Sequence, residues 1–259
     1  MTRDEAEGAA VEVSGGPIEP DEILCVRRGP GANCSSIGSA IDVLFATAAV
    51  AGAILVAVSA ALSEKALTCE MWFSFRSPYS YLALERIEEV VGDVPLVLRP
   101  MLPMVTRGLA LPSVKRMYIV RDAKREADRL GIPFGEICDP LGTGVDHCIA
   151  IAYWANQRGA LLPFAKSAMR AIWAEARDMS EYVDLRHVVE RAGLPWAEAK
   201  AALGREEAVK WATANAADLA VIGLWGVPSF RCGDFVAWGQ DRLPLLADRL
   251  RRHRLANPS

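Results

Sequence analysis

Residues 67–82 read Leu-Thr-Cys-Glu-Met-Trp-Phe-Ser-Phe-Arg-Ser-Pro-Tyr-Ser-Tyr-Leu, and a strand pattern runs directly into a helix start. Leu67 to Phe75 alternates and carries aromatics, which suits a pleated surface buried on at least one face. Ser77-Pro78 then supplies a preferred N-cap followed by the residue favoured at the first helical position. From Tyr79 to Val91 the apolar residues Leu82, Leu84, Ile87, Val90 and Val91 form a helical stripe.

Working outward, Gly92-Asp93 turns the chain and Val94–Leu98 is expected to be a second strand. Residues 113–220 are helical in pattern, with amphipathic runs rich in Ala and Arg and breaks at Gly131-Ile132-Pro133, Pro163 and Gly193-Leu194-Pro195. Ser229–Cys232 and Phe235–Trp238 are short strands joined by Gly233-Asp234, a hairpin signal, and Asp241–Arg252 is expected to close as a helix. The order β-α-β, helical block, β-β-α predicts an α/β fold: a thioredoxin-like sheet split by a large all-helical insertion. The expected domain spans 64–255, with the insertion at about 105–222.

On the N-terminal side the texture changes. Residues 1–36 carry three arginines against seven carboxylates, with Gly15-Gly16-Pro17 and Glu19-Pro20 breaking any periodicity, and are expected to be a flexible acidic tail. Residues 37–63 hold an apolar helix pattern. Val43 to Leu62 is twenty residues without a charge, enough at about 1.5 Å each to cross a ~30 Å hydrocarbon layer. Eight of the twenty are alanine, so insertion is marginal. A buried or dimer-packing helix is the favoured expectation, and a membrane anchor is the alternative.

Over all 259 residues the apolar fraction is 52% and the net charge −3, which argues against both wholesale disorder and a nucleic-acid partner. The six cysteines contain no C-x-x-C pair and are expected to be mostly reduced, with Cys69 and Cys232 acting as small core hydrophobes. His147, His187 and His253 show no ligand spacing, so no metal site is expected.

Three short stretches could carry chemistry. Ser77 can simply cap its helix. The same position concentrates unpaired backbone N–H groups that favour an anion, and the hydroxyl can donate to a bound thiolate. Gly226-Val227-Pro228 precedes a strand. Base rates favour a trans bond, whereas a cis bond would turn the Val227 backbone outward to pair with an extended peptide. Trp238-Gly239-Gln240-Asp241-Arg242 opens the last helix, where Asp241 is an N-cap or, with nearby amides, a receptor for an amino-acid zwitterion. Trp173, Trp225 and Tyr118 are expected to pack in the core, with an acceptor pocket as the alternative.

Taken together, Phe75-Arg76-Ser77-Pro78-Tyr79-Ser80-Tyr81-Leu82, Gly226-Val227-Pro228 and Trp238-Gly239-Gln240-Asp241-Arg242 resemble the signatures of 2-hydroxychromene-2-carboxylate isomerases and kappa-class glutathione transferases. Leu98-Arg99-Pro100, Lys115–Asp122 and Ala171-Ile172-Trp173 add to the likeness, which covers roughly residues 67–252. The resemblance implies a DsbA-like fold, a homodimer and glutathione as cofactor. By the same resemblance, Ser77 contacts the glutathione sulfur and a cis Val227–Pro228 pairs with its cysteinyl backbone. Gln240 and Asp241 hold the γ-glutamyl end, and Lys115 approaches the tripeptide.

The function expected is a glutathione-dependent isomerase acting on an aromatic or other electrophilic small molecule. A kappa-like transferase and a non-redox peptide-binding protein are the alternatives. Glutathione use favours a cytoplasmic location over membrane anchoring through residues 43–62. After ultracentrifugation without detergent, most of the full-length protein is predicted to stay in the supernatant. Recovery only from carbonate-resistant membranes would establish the anchor instead.

Overall fold

The computed structural model describes residues 67–109 and 111–257. Residues 1–66, with the acidic tail and the apolar run at 43–62, lie outside the described residues. Among those described, no helix is long and apolar enough to cross a membrane.

Four strands form one mixed sheet in the order β2-β1-β3-β4. β1 (Cys69–Phe73) is paired on both edges: parallel to β2 (Leu96–Pro100) and antiparallel to β3 (Ser229–Cys232). β4 (Phe235–Trp238) completes the hairpin with β3, turning at Gly233 with φ +61°, as the Gly-Asp signal implied. β2 runs two residues later than expected, because Arg99 and Pro100 take register against Trp72 and Phe73. Pro100 is tolerated there as the last residue of an edge strand.

The parallel β1–β2 pair needs a crossover, supplied by α1 (Pro78–Leu84) and α2 (Ile87–Val91). A single helix was expected here. Its hydrogen-bond ladder tightens at Arg86, whose N–H donates to Ala83 O, three residues back rather than four. Six helices separate β2 from β3: α3 (Ser113–Leu130), α4 (Thr143–Asn156), α5 (Leu161–Ala174), α6 (Tyr182–Arg191), α7 (Trp196–Ala201) and α8 (Glu206–Val221). A 3₁₀ turn at Gln240–Arg242 leads into α9 (Leu243–Ala256). This is the mixed sheet with a helical insertion that the sequence pattern implied.

Alternation along β1 sorts its side chains into two cores. Cys69, Met71 and Phe73 join the main cluster with α1, α4, α5 and α9. Trp72 faces the other way and packs with Met101 and Leu219. On that face Glu70 is gripped by Arg99 of β2, at 2.6 Å, and by Arg231 of β3. Both guanidinium groups lie over the Trp72 ring, at 5.4 and 5.6 Å from its centroid. One carboxylate thus serves cations from both flanking strands, with an aromatic face beneath them.

The expectation of reduced thiols at Cys69 and Cys232 is corrected. They are direct cross-strand partners with Cα atoms 4.3 Å apart, and they form a disulfide. That spacing is the close approach of a non-hydrogen-bonded antiparallel pair. Strand register, invisible in the spacing of the two residues along the chain, brings them together.

Asn215 fastens α8 to the sheet. It is 1% exposed, its backbone carbonyl accepts from Trp72 Nε1 at 2.8 Å, and its Nδ2 donates to Pro100 O at 2.9 Å. Asn215→Ala leaves the buried Pro100 carbonyl without this donor and is predicted to cost about 1–3 kcal/mol. A lower urea midpoint at unchanged m checks this, and an unshifted midpoint refutes it.

Candidate functional site

β1 delivers its C-terminal end to a tight turn in which Ser77 N–H donates to Ser74 O at 3.0 Å. Ser77 has extended backbone angles (φ −109°, ψ 112°), and its Oγ accepts from Ser80 N–H at 3.2 Å, the expected N-cap. The hydroxyl proton faces Val227 O at 3.5 Å. That is long for an O–H···O bond, so the donor is lightly held. α1 is a single seven-residue helix, and the hydroxyl, not a helix dipole, is the specific feature of this position.

The Val227–Pro228 bond is cis, as the resemblance implied and against the base rate. Val227 makes no backbone–backbone hydrogen bond among the described residues, whereas Pro228 O accepts from Gly239 N–H at 2.9 Å. A short backbone edge is therefore left open beside the Ser77 hydroxyl. Two contacts brace the surroundings. Ser229 Oγ donates to Gly226 O at 2.7 Å. The Trp238 indole lies so close to Gly226 that a Cβ there would meet its Nε1 at 2.6 Å. Only glycine fits.

The insertion closes over the residue before Ser77. Arg76 forms a bidentate pair with Asp139, both bonds at 2.7 Å. Burial would raise the Asp139 pKa, but the Arg76 hydrogen bonds and charge, with the Leu141 N–H, hold it below the usual carboxylate range. Tyr79 OH donates to Asp122 Oδ2 of α3 at 2.7 Å, and burial together with that carboxylate pushes the phenol pKa up.

The remaining expected residues divide. Gln240 is 4% exposed and both ends of its amide are committed: Oε1 accepts from Arg86 at 2.7 Å and Nε2 donates to Glu126 at 2.9 Å. Hydrogen bonds from Arg129 and Gln240 hold the Glu126 carboxyl below its ordinary pKa. Asp241 is exposed, and its carboxylate lies against Gly239, whose φ of +111° also demands glycine. The turn at 239–241 is tied to Pro228 and so to the Ser77–Val227 pair. Lys115 is exposed in the first turn of α3 and makes no hydrogen bond or ion pair with the described residues.

Of the three aromatics expected in the core, Trp173 is buried and donates to Phe75 O at 3.2 Å. Trp225 and Tyr118 are each 59% exposed, which corrects the expectation for those two. The rings of Trp225 and Trp238 sit 5.6 Å apart. Sequence reasoning missed Arg107, which reaches the Trp225 carbonyl from the loop after β2. Its signal, a lone arginine in the apolar run 101–112, is too weak to single out in advance.

A β1-α-β2 crossover, a helical insertion and a β3–β4 hairpin entered through a cis-proline define a thioredoxin-type domain. Residues 68–251 match the model of the DsbA-like thioredoxin domain, and the chain belongs to that family. It is 26% identical over 195 residues to a 2-hydroxychromene-2-carboxylate isomerase of Pseudomonas putida, covering 71% of this chain and 94% of that one. Among solved structures, a 2-hydroxychromene-2-carboxylate isomerase superimposes with a TM-score of 0.60 at 23% identity, covering 74% of this chain and all of the other. The cytosolic disulfide reductase DsbM from Pseudomonas aeruginosa gives 0.56 at 18%, covering 73% and 98%, and has also been solved with glutathione.

Gln240→Leu removes the acceptor of Arg86 and the donor to Glu126 at once. The variant is predicted to lose about 1–3 kcal/mol of stability, since it strands a partly buried guanidinium. Thermal unfolding checks this, and an unchanged melting temperature would show that the network is ornamental.

Proposed function

We propose that the chain is a glutathione-dependent isomerase of the 2-hydroxychromene-2-carboxylate type, acting on an aromatic or other electrophilic small molecule. One observation carries the reading: a lightly held Ser77 hydroxyl faces the open backbone edge of Val227 at the cis-proline. A tripeptide laid antiparallel to that edge pairs its central residue with the Val227 N–H and carbonyl, as an added strand does. Its cysteinyl sulfur then meets the Ser77 hydroxyl, whose acceptor side is already occupied by Ser80 N–H. Asp241 and the backbone amides of its turn receive the γ-glutamyl ammonium and carboxylate. Gln240, committed to Arg86 and Glu126, shapes this turn instead of reaching for the ligand. Lys115 approaches from α3.

When bound, glutathione supplies a thiolate that adds to an electrophilic carbon and later leaves it, allowing rotation about a bond that was double. Ser77 stabilises the thiolate before addition and again on departure, which lowers the pKa of the thiol. A disulfide-exchange reading lacks a thiol at the helix start where Ser77 stands. Such exchange needs an accessible thiolate, yet Ser77-Pro78-Tyr79-Ser80 contains no sulfur and Cys69–Cys232 is buried within the sheet. Of the two free described thiols, Cys148 is fully buried and Cys138 partly exposed; burial pushes both pKa values up, and Asp178 and Asp139 add to the shift at Cys138. The isomerase reading brings with it a cytoplasmic location, where reduced glutathione is maintained, and a homodimer. In a kappa-like transferase the same residues would act, with the conjugate released.

Reduced glutathione is expected to raise the melting temperature of the full-length protein in a concentration-dependent manner. Ser77→Ala and Ser77→Gly separate capping from chemistry, because glycine caps nearly as well as serine but has no hydroxyl. Both variants are predicted to lose about 100- to 1000-fold in turnover of 2-hydroxychromene-2-carboxylate. They should differ from each other only in stability. A glycine variant with near wild-type turnover would make Ser77 a cap and nothing more.

A further inference from the structure

Arg107 is the cation whose surroundings do not account for it. It is half-buried, its Nε is sealed from solvent, and that nitrogen has no acceptor among the described residues. No described carboxylate pairs with the guanidinium, and burial alone lowers its pKa from the ordinary value. Its one hydrogen bond runs from Nη2 to the Trp225 carbonyl at 3.5 Å, a loose tether for five donors. Removing a charge from water without a partner is costly. Arg99 and Arg231 are matched by Glu70, Arg76 by Asp139 and Arg191 by Glu175, and half-buried Arg86 at least has a firm 2.7 Å bond to the Gln240 amide oxygen.

The position of Arg107 is held firmly. The loop after β2 winds into a turn in which Arg107 N–H donates to Met104 O at 3.0 Å and Leu109 N–H donates to the same carbonyl at 2.8 Å. Gly108 follows at φ +78°, a conformation that suits glycine. From the Trp225 carbonyl only two residues lead to the Val227 carbonyl opposite Ser77, a span of at most about 7 Å. Trp225, whose backbone carbonyl takes the Arg107 bond, carries an exposed ring that pairs with the exposed ring of Trp238 at 5.6 Å. Val105 and Leu109, also exposed, come from the Arg107 loop.

A planar cationic fork tethered at Trp225, whose exposed ring pairs with that of Trp238, matches an aromatic ligand that bears a carboxylate. We propose that Arg107 is the substrate-carboxylate anchor of this site, and that Trp225 and Trp238 are the platform for the aromatic part of the electrophile. The inference rests on the isomerase reading for the identity of its ligand as substrate. The anchoring itself follows from the unpaired guanidinium. Arg107 selects acids over neutral analogues and orients the electrophilic carbon toward the sulfur held at Ser77.

The test uses the full-length protein and two inert bicyclic probes, chromone-2-carboxylate and the neutral chromone-2-carboxamide, titrated calorimetrically with and without reduced glutathione. The wild type is expected to prefer the carboxylate by about 10- to 100-fold, the range of a charge-assisted pair. Arg107→Met should abolish the preference while leaving carboxamide affinity, glutathione affinity and melting temperature near wild type. Arg107→Lys should restore part of it, since an ammonium keeps the charge but loses the fork. Trp225→Ala should weaken both probes alike. A wild type without preference, or an Arg107→Met variant that retains it, overturns the proposal. A wild type that prefers the carboxylate but does not bind glutathione leaves the anchor standing and removes the isomerase reading.

Discussion

β1 is hydrogen-bonded on both edges and buried on both faces, and that double confinement sets the rest of the molecule. A strand so placed has no solvent-exposed edge along which to slide. Its register is locked by Glu70 to cations on both neighbours and by Trp72 to α8. The chain leaves β1 at one defined point, and four residues later Ser77 stands at the mouth of the sheet. β3, aligned to β1 residue for residue, begins immediately after the cis-proline. The two halves of the site are positioned by a single ladder, which is why a weak hydroxyl contact can be reproducibly placed.

The polar framework behind the site has one organising element. Gln240 joins Arg86 at the break between α1 and α2 to Glu126 on α3, and thereby ties the crossover, the insertion and the last turn to one amide. The Arg76–Asp139 pair does the same on the other side of Ser77, linking the cap to the loop before α4. Neither network touches the open Val227 edge. The site keeps an unpaired backbone beside these bonded networks, and half-buried Arg107 stands outside both of them.

Local signals in the sequence were enough for much of this. Alternation gave β1, Gly233-Asp234 gave the hairpin, and Ser77-Pro78 gave the cap, because each depends on residues within a few positions of one another. What stayed hidden depends on partners far along the chain. The break at Glu85-Arg86 makes sense only with Gln240, more than 150 residues later. The Cys69–Cys232 link needs strand register, which cysteine spacing does not encode. The commitment of Gln240 to the framework, the exposure of Trp225 and Tyr118, and the isolation of Arg107 are likewise properties of the folded surface. A motif marks the position of such residues but not the groups that surround them.

The connectivity of the sheet also dictates an order of assembly. β1 and β2 are close in sequence, but the cross-strand partners Cys69 and Cys232 are separated by 163 residues. Closing a flexible loop of that length carries a chain-entropy cost that grows with the logarithm of its length, and prior folding of the intervening helices shortens the loop to be closed. On a ribosome the parallel pair and the helical block emerge well before β3. The central strand must therefore wait with one edge unpaired, and such an edge is an invitation to aggregation. The final thirty or so residues cap that edge and supply the second half of the site in one step. Shielding of the nascent sheet and the appearance of a functional pocket are thus the same event, and a chain that stops short of β3 gains neither.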